Sequence, residues 1–139
     1  MAKEINIVVI AVIRNKQGKY LLTLRTEDDP EDQFHNIWQL PGGGVEWGEK
    51  LEEALKREMR EEIGAEIKIN RLIPKIFESV RDTSWHGIFP CFLCELADEN
   101  AQITLNAEAS DYKWYTPEEI KKLPSYSETI EVIDIAERM

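Results

Sequence analysis

Residues 42–65 read GGGVEWGEKLEEALKREMREEIGA, and the placement of the acids in this stretch decides the rest. A Gly-rich turn, Gly42-Gly43-Gly44, opens it. A helix pattern follows from about Lys50 to Ile63, and Gly64 supplies a C-terminal stop. At ~100° per residue, Leu51, Leu55, Met59 and Ile63 form one apolar stripe, with Ala54 beside it. On the same wheel Glu62 projects close to the middle of that stripe, and Glu58 to its flank. Glu58, Glu61 and Glu62 are spaced i, i+3, i+4, so their side chains are neighbours.

A solvated helix face accounts for Lys50, Glu53, Lys56 and Arg60, which point away from the stripe. It does not account for Glu58 and Glu62. Carboxylates that face a core, and each other, are costly unless positive charge sits among them. One source is Arg57, four residues before Glu61, in a structural ion-pair network. The other is a divalent cation, and oxygen-only ligands of this type suit Mg²⁺ or Mn²⁺ rather than zinc. The wheel alone leaves both open.

The stretch resembles the signature of the Nudix hydrolases, which cleave nucleoside diphosphates linked to another moiety. That pattern is Gly, five residues, Glu, seven residues, Arg-Glu, an aliphatic, any residue, Glu-Glu, any residue, Gly, an aliphatic. Here it runs over 43–65 as Gly43, Glu49, Arg57-Glu58-Met59-Arg60-Glu61-Glu62-Ile63-Gly64. Ala65 departs from it by standing where a larger aliphatic is usual. The resemblance implies that Glu58, Glu61 and Glu62 are metal carboxylates for Mg²⁺ or Mn²⁺, with one of them as a base. It implies a further ligand from the Gly43 carbonyl, and substrate contacts along Gly43 and Gly44. Arg57 would orient Glu61 or pair with Glu49. Glu108 lies in a later loop, and in some family members a glutamate in such a loop helps activate water or bind metal. The fold implied is α/β, a Nudix-type α/β/α sandwich with a mixed β-sheet, spanning residues 1–139 as one domain.

Beyond the signature, 139 residues suffice for one domain with a core and are too few for two ordinary ones. A net charge of −10 argues against a nucleic-acid-binding surface, which needs basic residues. The same charge would repel a polyphosphate, a conflict that bound divalent cations remove. No apolar run approaches the ~20 residues of a membrane span, and MAKEINIVVIAV reads as a first strand, not a targeting segment. Cys91 and Cys94, spaced as CxxC inside an apolar run, read as two buried strand cysteines in a reducing, cytoplasmic compartment. His35 and His86 fall in expected loops and belong to no motif. The partner expected is a small-molecule nucleotide, with a homodimer left open.

Along the chain, Ile5–Ile13 reads as a strand buried on both faces, and residues 15–18 as a turn. Tyr20–Arg25 returns as a second strand. Arg25, ending it, is either a phosphate contact or a solvated arginine at the mouth of the polar loop 26–36. Residues 37–40 lead into the glycines. Glu66 to Val80 alternates as one or two strands, and residues 81–87 form a turn. Gly87 to Leu96 is a strand with Pro90 at an edge or bulge. A short strand at 102–105 and another at 111–115 follow. Thr116 caps a helix with Pro117 at its first position, and a final helix covers roughly 127–138. Substrate markers are weak: the form of the signature resembles small bacterial nucleoside triphosphatases of the MutT type. An ADP-ribose or nucleotide-sugar pyrophosphatase, or a non-catalytic nucleotide-binding module, are the alternatives.

Overall fold

The computed structural model describes residues 3–26, 36–81 and 84–139; the polar loop before Asn36, His35 and part of the 81–87 turn lie outside them. The chain order is β1 (Ile5–Ile13), β2 (Tyr20–Arg25), β3 (Trp38–Gln39), β4 (Gly42–Gly44), α1 (Leu51–Ile63), β5 (Ile67–Leu72), β6 (Phe77–Arg81), β7 (Trp85–Phe89), β8 (Cys91–Leu96), β9 (Ala109–Tyr115), α2 (Pro117–Ile120) and α3 (Ser127–Glu137).

The larger sheet is mixed. β1 pairs in parallel first with β7, Ile5 opposite His86, and then with β8, Ile10 opposite Cys91. The offset between partners is the same in both pairings, so β7 and β8 form one line of strand interrupted at Pro90. The proline stands at neither an edge nor a bulge. It cannot donate to the ladder, and β1 uses its other group, with Ile10 N–H donating to the Pro90 carbonyl at 3.0 Å. On the far side of that line β5 pairs antiparallel with β8, and β6 with β7. A second, three-stranded antiparallel sheet runs β3-β2-β9.

Side-chain alternation along the strands divides the core. Val9, Ala11 and Ile13 of β1 and Phe92 and Cys94 of β8 pack against Ala54, Leu55, Met59 and Ile63 of α1. Val12, Cys91 and Leu93 pack with Val132, Ile133 and Ala136 of α3. Helices therefore cover both faces, giving an α/β/α arrangement. The two cysteines of the CxxC are buried and unbridged, in clusters on opposite sides of β8. Burial pushes both thiols up to about 12, which leaves them unreactive.

Several local expectations change. The three glycines are not a turn but strand β4, antiparallel to β1 with Val9 opposite Gly43. β1 is fully buried only toward its end, and Ile5 is largely exposed. Leu51 is left at the exposed start of α1, while Glu62 takes its place on the buried face. Residues 102–105 form no strand: Thr104 N–H donates to the Ile63 carbonyl at 2.9 Å, and Ile103 is buried. That segment closes the end of α1, where Gly64 takes the left-handed conformation at φ 63°.

Candidate active site

The signature residues converge because α1 lies against β4. Arg57 is the hub of the outer half. Its guanidinium donates twice to Glu49, at 2.7 and 2.9 Å, and once to the Gly44 carbonyl at 2.9 Å. It also donates to Glu58 at 3.0 Å and to Glu61 at 3.2 Å. The planar fork of arginine can serve several acceptors at once, where a lysine could not hold the same geometry. Glu49 in turn accepts the Glu46 N–H at 2.9 Å, which closes the 46–49 turn onto the helix. Arg57 above all, then the Glu46 amide, hold the Glu49 carboxyl down at about 2.

The inner half carries Glu58, Glu62 and Glu108, of which only Glu58 has a basic partner among the described residues. Glu62 is 2% exposed and accepts one hydrogen bond, from Gly42 N–H at 3.2 Å. Among the described residues no basic side chain pairs with it. Burial is the main cause that pushes its carboxyl up to about 8, with the charge of Glu108 adding to it. Glu58 is also raised, by burial first, with Arg57 opposing and Glu61 and Glu108 adding. Gly43 sets the distance between strand and helix. A Cβ there would lie 2.2 Å from the Glu58 carboxyl carbon, so only glycine lets the carboxylate lie against β4.

Glu58, Glu62 and Glu108 line one cleft of about 860 Å³, together with Gly42, Gly43 and Gly44. Arg25 lines it too, where the register of β2 against β9 shifts after Leu24, and Thr26 N–H donates to the Glu108 carbonyl at 3.1 Å. That shift brings Glu108 to the cleft. Arg25 also meets the Tyr126 hydroxyl at 3.5 Å, so it spans to the start of α3 and is not a solvated loop arginine. Glu61 and Glu49 are not brought into the cleft; they stand on the outer side of Arg57, Glu61 half exposed. The Gly43 carbonyl faces the sheet. Val45 N–H to Ile7 and Ala11 N–H to Pro41 flank it in the ladder, which makes Val9 and Gly43 a hydrogen-bonded pair. Gly42 and Gly44 turn their backbone groups away from β1, and of these the Gly42 N–H donates to Glu62 and the Gly44 carbonyl accepts from Arg57. His86 lies outside this cleft, against Glu78 at 3.8 Å.

The sequence did not single out the opposite wall, built from Phe77, Ser79, Trp85 and Phe89, or the first turn of α3. The strand alternation in FESVR and WHGIF was the available signal, since it puts these side chains on one face.

The acids fit a hard cation. They offer only oxygen, Glu62 is buried without a counter-charge among the described residues, and the cleft is open to further ligands. Among the described residues no group of three or more His, Cys, Asp or Glu side chains is placed to hold a metal ion. Mg²⁺ ordinarily uses one or two carboxylates and fills its remaining positions with water and substrate phosphates.

Known proteins resemble the chain in sequence and in fold. The NUDIX domain family model matches residues 5–134. Proteins named nucleoside triphosphatase NudI, from Escherichia coli O139:H28 and from Shigella flexneri, are each 35% identical over 122 residues, covering 81% of this chain and 83% of the relative. The crystal structure of the MutT protein from Methanosarcina mazei Go1 matches with a TM-score of 0.82 at 26% identity, over 99% of this chain and 96% of that one. A C. elegans Ap4A hydrolase matches at 0.77 and 20% identity over 96% of each chain, a likeness of fold.

Proposed function

The chain belongs to the NUDIX family and is a Nudix hydrolase, and from that premise we propose that it hydrolyses a phosphoanhydride bond of a nucleoside triphosphate with Mg²⁺ or Mn²⁺. The observation that carries the reading is Glu62, buried and without a counter-charge among the described residues, beside Glu58 and Glu108 in an open cleft. The relatives named nucleoside triphosphatase support the choice of a triphosphate over other phosphoanhydrides.

Glu58 and Glu62 would hold the cation from α1, with Glu108 across the cleft. Glu61 supports them from the outer side through Arg57. The cation would supply positive charge to the phosphate oxygens, which a chain of net charge −10 lacks. Arg57 keeps Glu58 fixed against β4, and Glu49 keeps Arg57 in turn. Arg25, reaching from the end of β2, orients the phosphate chain by charge-assisted hydrogen bonding. Glu108 has no basic partner among the described residues, and one of its carboxylate oxygens accepts the proton of the attacking water. The two unbridged buried cysteines fit a cytoplasmic protein.

The test is turnover of a panel of nucleoside triphosphates, nucleotide sugars, ADP-ribose and dinucleotides in Mg²⁺, with the released phosphate or pyrophosphate identified. Hydrolysis of at least one triphosphate, abolished by EDTA and restored by Mg²⁺, is the expected result. Faster turnover of ADP-ribose or a nucleotide sugar would move the chain to pyrophosphatase chemistry. Tight nucleotide binding with no turnover would make it a binding module.

A further inference from the structure

α1 covers only part of the larger sheet. Its 13 residues span ~20 Å at ~1.5 Å per residue, and they lie over Val9, Ala11 and Ile13, the later part of β1. Beyond the helix the same face continues in two rows. Ile5 of β1 is level with His86 of β7, and His86 with Val80 of β6. Two residues along, Ile7 is level with Ile88, and Ile88 with Glu78. Strand alternation puts all six on the α1 side of the sheet, away from the cleft. Among the described residues Ile5, Ile7, Ile88 and Val80 belong to neither core cluster, and Ile5 and Val80 are 59% and 66% exposed. β4 borders this patch. Val45 N–H donates to the Ile7 carbonyl at 2.9 Å, and the turn that follows holds Trp47 fully exposed.

We propose that this uncovered face, Ile5, Ile7, Ile88 and Val80 with Trp47 at its border, is where a second copy of the chain docks, sheet against sheet about a two-fold axis. The area fits a pair. Covering about 100 Å² for each exposed aliphatic and about 200 Å² for the tryptophan, with smaller parts of Ile7 and Ile88, removes roughly 500 Å² from each copy. Two copies together then reach the ~1,000 Å² that a specific interface needs. The shape fits as well. A flat row of β-branched side chains packs on another such row between the sheets of a β-sandwich, and a two-fold contact supplies the second row from the same residues. The charges decide against other occupants. Lys3, Glu4 and Glu78 lie at the patch, close to balance on a chain of net charge −10. Two copies therefore meet here with little repulsion, whereas nucleic acid or an anionic membrane is repelled by the chain as a whole. Glu78, which docking covers, has His86 Nε2 at 3.8 Å, itself shut off from solvent without a hydrogen bond, so a donor stands ready for the carboxylate.

Sedimentation equilibrium of the full chain, with light scattering after gel filtration, gives the mass directly. Wild type should have twice the chain mass, dissociate on dilution, and melt at a Tm that rises with protein concentration. Val80→Lys and Ile5→Lys, both at exposed strand positions, should be monomeric under the same conditions. Leu72→Lys, which changes an exposed apolar residue of β5 outside the patch, opposite Phe92, should stay dimeric. Trp47→Ser changes a fully exposed turn residue; it should fold as wild type and weaken the dimer about tenfold in Kd. Should a lysine variant fail to fold by circular dichroism, the Kd of Trp47→Ser decides. A wild type that is monomeric at every concentration overturns the proposal, and flotation of that monomer with zwitterionic vesicles would give the face to a membrane. A dimer that survives the patch variants, or that Leu72→Lys breaks as readily, has its interface elsewhere and overturns it too.

Discussion

Replacing Glu62 by glutamine should stabilise the protein in chelator and cripple it in Mg²⁺. The carboxyl is pushed up to about 8 in the fold, against ~4.3 for an unfolded chain. A group raised in this way keeps its proton in the folded state longer than in the unfolded one. It costs nothing below pH ~4.3, where both states are protonated, and the folded state loses ground steadily as pH rises toward about 8. At ~1.4 kcal/mol per unit the full span is about 5 kcal/mol. Water in the open cleft screens part of this, leaving about 2–5 kcal/mol. Glutamine keeps the volume, and its side-chain oxygen can still accept the Gly42 N–H. In EDTA the Tm of wild type should therefore fall from pH 5 to pH 8.5 more steeply than that of Glu62→Gln. The variant should melt higher at pH 8.5, by several degrees at the ~3 °C per kcal/mol typical of this size. In Mg²⁺ its turnover should drop by ~10²-fold or more. A variant that melts lower than wild type at pH 8.5 in EDTA would refute the reasoning, because it would mean that the charge is paired within the fold, where breaking a buried pair costs ~3–5 kcal/mol.

Gly43→Ala should lower turnover by ~10²-fold and lower Tm, because its Cβ would fall on the Glu58 carboxyl; steady-state rates and a melt check both. Wild-type turnover would show that Glu58 can leave β4 without consequence. Glu49→Gln removes the charge of the doubly bonded partner of Arg57 without touching the cleft, so kcat should fall ~10–100-fold while KM changes little; a loss confined to KM would place Glu49 at the substrate. Arg25→Ala should raise KM for a triphosphate by roughly tenfold or more, the loss of a charge-assisted contact, with little change in Tm. Unchanged KM would assign Arg25 to bracing Tyr126 instead.

Much of the fold was legible where pattern and packing agree. The apolar runs at β1 and β8 placed two central strands, and the 3.6-residue period in α1 predicted its buried face, Leu51 excepted. The wheel also put Glu62 on the apolar side, and it is there. What escaped was set by pairing between distant segments. Gly42-Gly43-Gly44 has the composition of a turn, and only the edge of β1 makes it a strand. Pro90 suggested an edge because a proline usually interrupts a ladder, but the line β7–β8 keeps its register against β1 through the proline's carbonyl. Glu108 reached the cleft by the register shift after Leu24, which no local spacing reports. The way Trp85 lies on the β6–β7 face was invisible because it depends on a glycine two residues away.

The two explanations left open for the acidic helix describe its two sides. Glu49 and Glu61, with Glu58 shared, satisfy Arg57, and that network would hold without any ligand. Glu62 and Glu108 have no such partner among the described residues. Glu58 belongs to both sides, bonded to Arg57 at one carboxylate oxygen and pressed against Gly43 in the cleft. The outer ion pairs therefore fix the inner carboxylates in place before any cation arrives. The electrostatic cost of holding them together is left to be relieved by the ligand. Under the proposed metal-dependent reaction this would let an acidic chain accept a polyanion, with Gly43 setting the gap, Arg57 the angle, and Glu58 and Glu62 the charge.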